Sequence, residues 1–156
     1  MPTLIHIGRR AGSGLSFLME YLVILLMFPR QFLRRDHARY LPRIPCVLDI
    51  WVSMVQPKVP DAELHIFSGA STYGQVGVSK AAEMRIVLDR VRSFEGQGVV
   101  LRKPLAKQQL IEEFQKARVM LYKGDENETF CLAVGEAQAA GLPAVVQRYG
   151  SVVERV

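Results

Sequence analysis

Glu128 and Glu136 stand eight residues apart in KGDENETFCLAVGEAQAAGLPAVVQRYG, the stretch from Lys123 to Gly150. A polar acidic loop there runs directly into a helical pattern. At about 1.5 Å of rise per residue, the two carboxylates lie about 12 Å apart along the helix axis. Hydrolysis by a carboxylate pair needs roughly 5 to 9.5 Å. The spacing therefore excludes that chemistry and suits two grips on one elongated ligand. Between them, the backbone N–H groups of Thr129, Phe130 and Cys131 open the helix and form an anion site with the helix dipole behind it. A phosphorylated ligand with hydroxyl groups at both ends satisfies these features, since carboxylates accept hydrogen bonds from hydroxyls. The same spacing also fits a first-turn acid favoured by the dipole and a solvated helix residue.

Other reactive side chains form weaker sets. Asp125 and Glu126 read as a solvated acidic loop rather than a metal pair. Cys131 begins a helix, which lowers a thiol's pKa, but no His lies near it in sequence to act as a base, so it is read as pocket lining. His6 and His65 sit inside strand patterns, where a satisfied core histidine is the expected role, and His37 stands alone in the basic stretch. The segment GRRAGSG from Gly8 to Gly14 lacks the Gly-Lys-Ser/Thr ending of a P-loop and the order of a dinucleotide fingerprint.

The elements that must position these residues alternate. Strands are predicted at Leu4–Gly8, Glu63–Phe67, Gly98–Leu101, Val119–Tyr122 and Pro143–Val146. Helices are predicted at Leu15–Phe28, Val47–Val55, Lys80–Phe94, Lys107–Ala117 and Phe130–Ala140, with a last turn capped by Ser151. In the Lys80–Phe94 helix Met84, Val87, Leu88 and Val91 share a face. Arg30–Pro45 reads as irregular. Such alternation predicts an α/β fold, a parallel sheet with helices on both faces. Ligands then sit outside the carboxyl ends of the strands. The rule selects the loops Gly8–Gly14, Ser68–Gly77, Arg102–Leu105 and Lys123–Thr129.

Apolar residues form 49% of the chain and charged residues 22%, which excludes disorder for most of it. The 156 residues suit one domain. The net charge of +5 is concentrated: Arg30, Arg34, Arg35, Arg39 and Arg43 face one acid, Asp36, between them. A local excess does not make a nucleic-acid stripe, so no nucleic-acid partner is expected. Cys46 and Cys131 lack metal-ligand spacing and are expected as reduced thiols in a cytoplasmic protein. The run LSFLMEYLVILLMF, Leu15–Phe28, has 14 residues and contains Glu20. A spanning helix wants about 20 apolar residues. The run is read first as a buried core helix, then as an interfacial helix whose basic flank makes a peripheral contact with anionic lipid.

ETFCLAVGEAQAAGLPAVV resembles the signature of GT-B glycosyltransferases of family 4, through Glu128, Phe130, Glu136, Ala137, Ala140, Gly141, Pro143, Val145 and Val146. PDAELHIFSG (Pro60–Gly69), GVVLRKPLAKQQLIEEFQKARVMLY (Gly98–Tyr122) and LIHIGRR (Leu4–Arg10) are similar to other parts of that family's nucleotide-sugar domain. The resemblance implies a Rossmann-like sheet, the C-terminal half of a GT-B fold. It also implies hexosyl transfer from a nucleoside-diphosphate sugar, retaining and without a metal or other cofactor. Glu128 would contact the donor sugar and Glu136 the ribose. Thr129, Phe130 and Cys131 would line the sugar and pyrophosphate, with Gly8 in the first phosphate-side loop. Arg9 or Arg10 would pair the diphosphate, for which a bidentate guanidinium is suited. Arg102, Lys103 and Leu105 would flank the nucleobase.

The chain departs from the family at several points. Where the family carries Lys-Gly after that Arg, it reads RRAGSG, with Ser13 before Gly14. Cys131 replaces the commoner Gly beside the aromatic residue. Residues 15–45 are longer than the family's usual connection and are read as an atypical insertion. No N-terminal acceptor domain is recognised, and the chain ends at Val156 inside a helical pattern. The resulting expectation is a donor-binding domain that needs an acceptor domain or partner chain, with a catalytically silent nucleotide-sugar-binding module or fragment as the alternative.

Overall fold

A computed structural model describes residues 21–24, 43–69, 81–123, 130–148 and 150–155 of the chain. Five parallel strands form one sheet in the order β3-β2-β1-β4-β5. They are β1 (Tyr21–Ile24), β2 (Glu63–Phe67), β3 (Val99–Arg102), β4 (Met120–Tyr122) and β5 (Ala144–Val146). The helices are α1 (Arg43–Ile50), α2 (Ala81–Arg92), α3 (Lys107–Lys116) and α4 (Leu132–Ala139). The chain therefore mixes helix and strand around a parallel sheet, as an α/β fold requires.

The first strand corrects the sequence reading. The apolar run Leu15–Phe28 is predicted to be helical, yet its residues Tyr21–Ile24 form β1 and pair with β2 from Tyr21↔Glu63 to Ile24↔Ile66. On its other side Val23 registers with Met120 of β4. Continuous apolar residues of this kind are what a parallel strand with neighbours on both sides contains. Short apolar runs do not separate strand from helix by periodicity. The stretch read as an insertion thus contributes the central strand. It also contributes the start of α1, since Arg43–Pro45 are helical rather than irregular. Leu4–Gly8 and the remainder of the Leu15–Phe28 run lie outside the described residues. Among the described residues no helix is long and apolar enough to cross a membrane.

Period-two alternation divides the sheet between two cores. Leu64 and Ile66 of β2 and Val99 of β3 are buried with Val47, Leu48 and Trp51 beside α1 and with Val87 and Val91 of α2. Phe67, Met120 and Tyr122 belong to the other cluster, with Phe114 of α3, Ala133, Val134 and Ala137 of α4, Leu142 and Val152. Alternate residues of β2 thus face different helices. The two amphipathic helices α2 and α3 follow their sequence pattern closely: Ile86 lies exposed on α2, while Phe114 is buried on α3.

After Ile50 the helix widens into a π-helical turn, Trp51–Val55, where the Gln56 N–H donates to the Trp51 carbonyl at 2.9 Å. Pro57 has no N–H to continue a helical ladder, and the chain turns toward β2. The Trp51 indole Nε1–H donates to the Gln97 carbonyl at 2.8 Å, tying this turn to the entry of β3. Gly98 is the next residue. Its φ is +74°, and a Cβ there would lie 2.8 Å from the Ala62 carbonyl oxygen. Its own carbonyl accepts from the Leu64 N–H at 2.8 Å, so it cannot move away without breaking the β2–β3 entry.

Gly98→Ala must bear both the left-handed backbone cost of about 1–2 kcal/mol and a clash with main chain, so a loss of at least about 2 kcal/mol is expected. Gly96→Ala, in open space two residues earlier, should change stability by no more than about 0.5 kcal/mol. Urea denaturation followed by circular dichroism compares the two; equal midpoints would contradict the close approach.

Candidate functional site

Parallel strands place all five carboxyl ends on one edge, at Ile24, Phe67, Arg102, Tyr122 and Val146. The chain builds outward from β1 to β2 and β3, then crosses to β4 and β5 on the far side. The order reverses between β1 and β4. In open parallel sheets a crevice for ligands forms at such a reversal. The loop from β4 into α4 leaves from this point, and it is the loop that carries Glu128.

Glu128 and Thr129 lie outside the described residues, as do Gly8, Arg9, Arg10, Asp125 and Glu126. Phe130 is 59% exposed, and Leu132 is 60% exposed two residues on. Between them Cys131 is buried with φ +50° and ψ +69°. Among the described residues it is the one non-glycine residue at positive φ. A left-handed L-residue costs about 1–2 kcal/mol, so the position where a glycine would fit without strain is held by a buried thiol. The Gly135 N–H donates to the Cys131 carbonyl at 3.2 Å, and this begins α4.

The far end of α4 explains much of the sequence signature. The Leu142 N–H donates to the Ala137 carbonyl at 2.9 Å and the Gly141 N–H to the Gln138 carbonyl at 3.0 Å. With Gly141 at φ +85°, these two bonds make a Schellman stop. Leu142 and Ala137 are buried in the same cluster, the apolar contact that accompanies that motif. Pro143 then leads directly into β5. Ala-Ala-Gly-Leu-Pro is thus a helix stop and strand entry. The small residues Ala133 and Ala137 let α4 lie close against the sheet.

Glu136 of this helix reaches another element. Its Oε1 accepts from Lys107 Nζ at 2.9 Å; the side chains are 28% and 71% exposed. Lys107 opens α3, and residues Lys103–Ala106 link it to β3, so the ion pair joins the α4 carboxylate to the first residue of α3. Arg102 at the end of β3 and Lys103 and Leu105 in that connection are exposed. The structure therefore brings Glu136 to Lys107, the first residue of the helix that follows the Arg102–Leu105 segment. Lys107 was not a sequence candidate: it is 29 residues from Glu136, and no local pattern links them.

A second polar set lies in β2 and β3. Arg102 Nε–H donates to His65 Nδ1 at 3.3 Å, and His65 Nε2 lies 2.8 Å from Glu63 Oε2. Guanidinium only donates, so Nδ1 is the acceptor and Nε2–H donates to the carboxylate. His65 is buried. This agrees with its reading as a satisfied core histidine, and adds that it links Glu63 to an arginine at the carboxyl edge. Glu63 and His65 share a face by strand alternation, a signal the sequence does carry. Next to Arg102, the Ser68 N–H donates to the Arg102 carbonyl at 3.1 Å. Among the described residues, the Ser68 and Ser151 hydroxyl oxygens are buried without a hydrogen-bond partner. Ser151 lies inside the turn Gly150–Arg155 and does not cap it, which corrects the expectation. No cluster of three His, Cys, Asp or Glu side chains among the described residues is placed to hold a metal ion.

No family model matches the chain, and no curated protein does.

At Cys131 the sign of a backbone effect is measurable. Cys131→Ala and Cys131→Gly remove the same sulfur, but only glycine relieves the positive φ, so the Gly variant should be the more stable by about 1 kcal/mol. Thermal or urea unfolding of the pair checks it; an Ala variant that is the more stable would contradict a left-handed Cys131.

Proposed function

We propose that this chain is the nucleotide-sugar-binding domain of a glycosyltransferase. In this reading the sheet is Rossmann-like, the C-terminal half of a GT-B fold. The domain holds a nucleoside-diphosphate hexose for retaining, metal-independent transfer to an acceptor bound by another domain or chain. Glu136 grips the ribose and Glu128 the sugar. The backbone at Thr129–Cys131 receives the pyrophosphate, and the domain's contribution to the reaction is electrostatic, stabilising the departing diphosphate.

The observation that carries the reading is the place of Glu136: it lies on the helix that follows β4, the strand at the order reversal, and its carboxylate meets the first residue of α3. The helix stop accounts for Gly141 and Pro143 on structural grounds, but it does not require a glutamate at either 128 or 136.

A catalytically silent binding module is the second reading. It is favoured by Ser13, which stands where the family carries a lysine. Binding of a nucleotide sugar with neither transfer nor hydrolysis, even when an acceptor domain is supplied, is its expected behaviour.

Calorimetry with uridine, guanosine and adenosine diphosphates and a matching nucleotide sugar tests the proposal. A charge-assisted hydrogen bond is worth about 1.5–3 kcal/mol, so Glu136→Gln should weaken the bare diphosphate about tenfold or more. Glu128→Gln should leave the bare diphosphate nearly unchanged and weaken the nucleotide sugar. Equal losses for both ligands at Glu128 contradict its assignment, and a folded chain that binds none of them removes the proposal.

A further inference from the structure

We infer that Lys107 is a positioning residue that holds the Glu136 carboxylate ready for a vicinal diol; this rests on the nucleotide-binding reading of Glu136. The ion pair differs in kind from Arg92–Asp89 and Lys116–Glu113, which are i,i+3 pairs within one helix. Lys107 reaches from the first residue of α3 to the fifth of α4 and meets the carboxylate of a half-buried glutamate. Its ammonium occupies one oxygen, Oε1, at 2.9 Å.

A carboxylate offers about four lone-pair sites over two oxygens. One ammonium on Oε1 leaves Oε2 and the second lone pair of Oε1. Two adjacent hydroxyl groups need two acceptor sites on one rigid group, which is what remains. Glutamate has three rotatable side-chain bonds, and freezing them on binding opposes affinity. Lys107 freezes part of that motion before a ligand arrives. Its ammonium is mostly solvated, so the pair does not bury a charge that the ligand would have to release. The ligand feature selected is therefore the cis-diol of a ribonucleoside. Lys107 acts on that feature through Glu136 and does not touch the ligand.

The experiment measures, on the whole chain, dissociation constants for the three ribonucleoside diphosphates and their 2′,3′-dideoxy analogues. The wild type should prefer the diol form about tenfold, the worth of a charge-assisted hydrogen bond. Exposed ion pairs have small energies, so K107M should cut that preference about threefold, with K107R restoring it. K107A replaces K107M if the latter unfolds early. A full wild-type preference in K107M, alongside its loss in E136Q, overturns the inference and leaves the nucleotide reading standing. A wild type without preference, or an E136Q chain that keeps it, removes Glu136 from the ribose and overturns both.

Discussion

Parallel pairing on both sides of Tyr21–Ile24 is the constraint on which the rest of the structure depends. A parallel neighbour cannot be joined by a tight turn; it needs a crossover, usually helical. β1 takes β2 on one side and β4 on the other, so the chain must cross over repeatedly and must once change direction along the sheet. From this follow the helices packed against the two sets of alternating strand residues and the gathering of all carboxyl ends on one edge. The loop from β4 to α4 then begins beside the reversal. The residues at that edge are chemically varied because their backbone positions are already determined by the sheet behind them.

The signature around α4 separates into two parts with different physical origins. Its second half is a device for ending a helix and starting a strand: a left-handed glycine, two cross-bonds to the last turn, and a proline. Its first half has no such account. Cys131 adopts a conformation unfavourable to it, Phe130 and Leu132 present apolar groups to solvent, and Glu136 is directed toward a different helix. Local rules are obeyed where the chain needs only to fold and broken together in three or four residues at the carboxyl edge.

Strong periodicity made α2 and α3 legible in the sequence, because Val87 and Val91, or Leu110 and Phe114, recur on one face whatever surrounds them. β2 was legible for its alternation and for the Ser68-Gly69 turn. β1 was not. Its four residues sit in a longer apolar run with basic flanks, and only a neighbour on each side reveals it as a strand. The position of Glu136 on α4 was readable from spacing, but its partner was not, since Lys107 is brought to it by the packing of α3 against α4. Likewise Glu63 and His65 could be placed on one face from sequence, whereas Arg102 joins them only through the β2–β3 register. Ser151 looked like a cap because serine favours caps. In the structure it sits one residue inside its turn, with its hydroxyl buried.

The indole of Trp51 gives the molecule an optical asymmetry. It is the only tryptophan in the chain, fully buried, with its N–H held by the carbonyl of Gln97. Indole emission shifts toward longer wavelength when water reaches the ring. Trp51 belongs to the cluster of α1, α2 and the β2–β3 entry, while α4 and Glu136 lie against the other set of strand residues. Tryptophan emission therefore reports on the half of the core that does not include α4. A change in its colour signals loosening around Gly98, and an event confined to α4 leaves that colour unchanged.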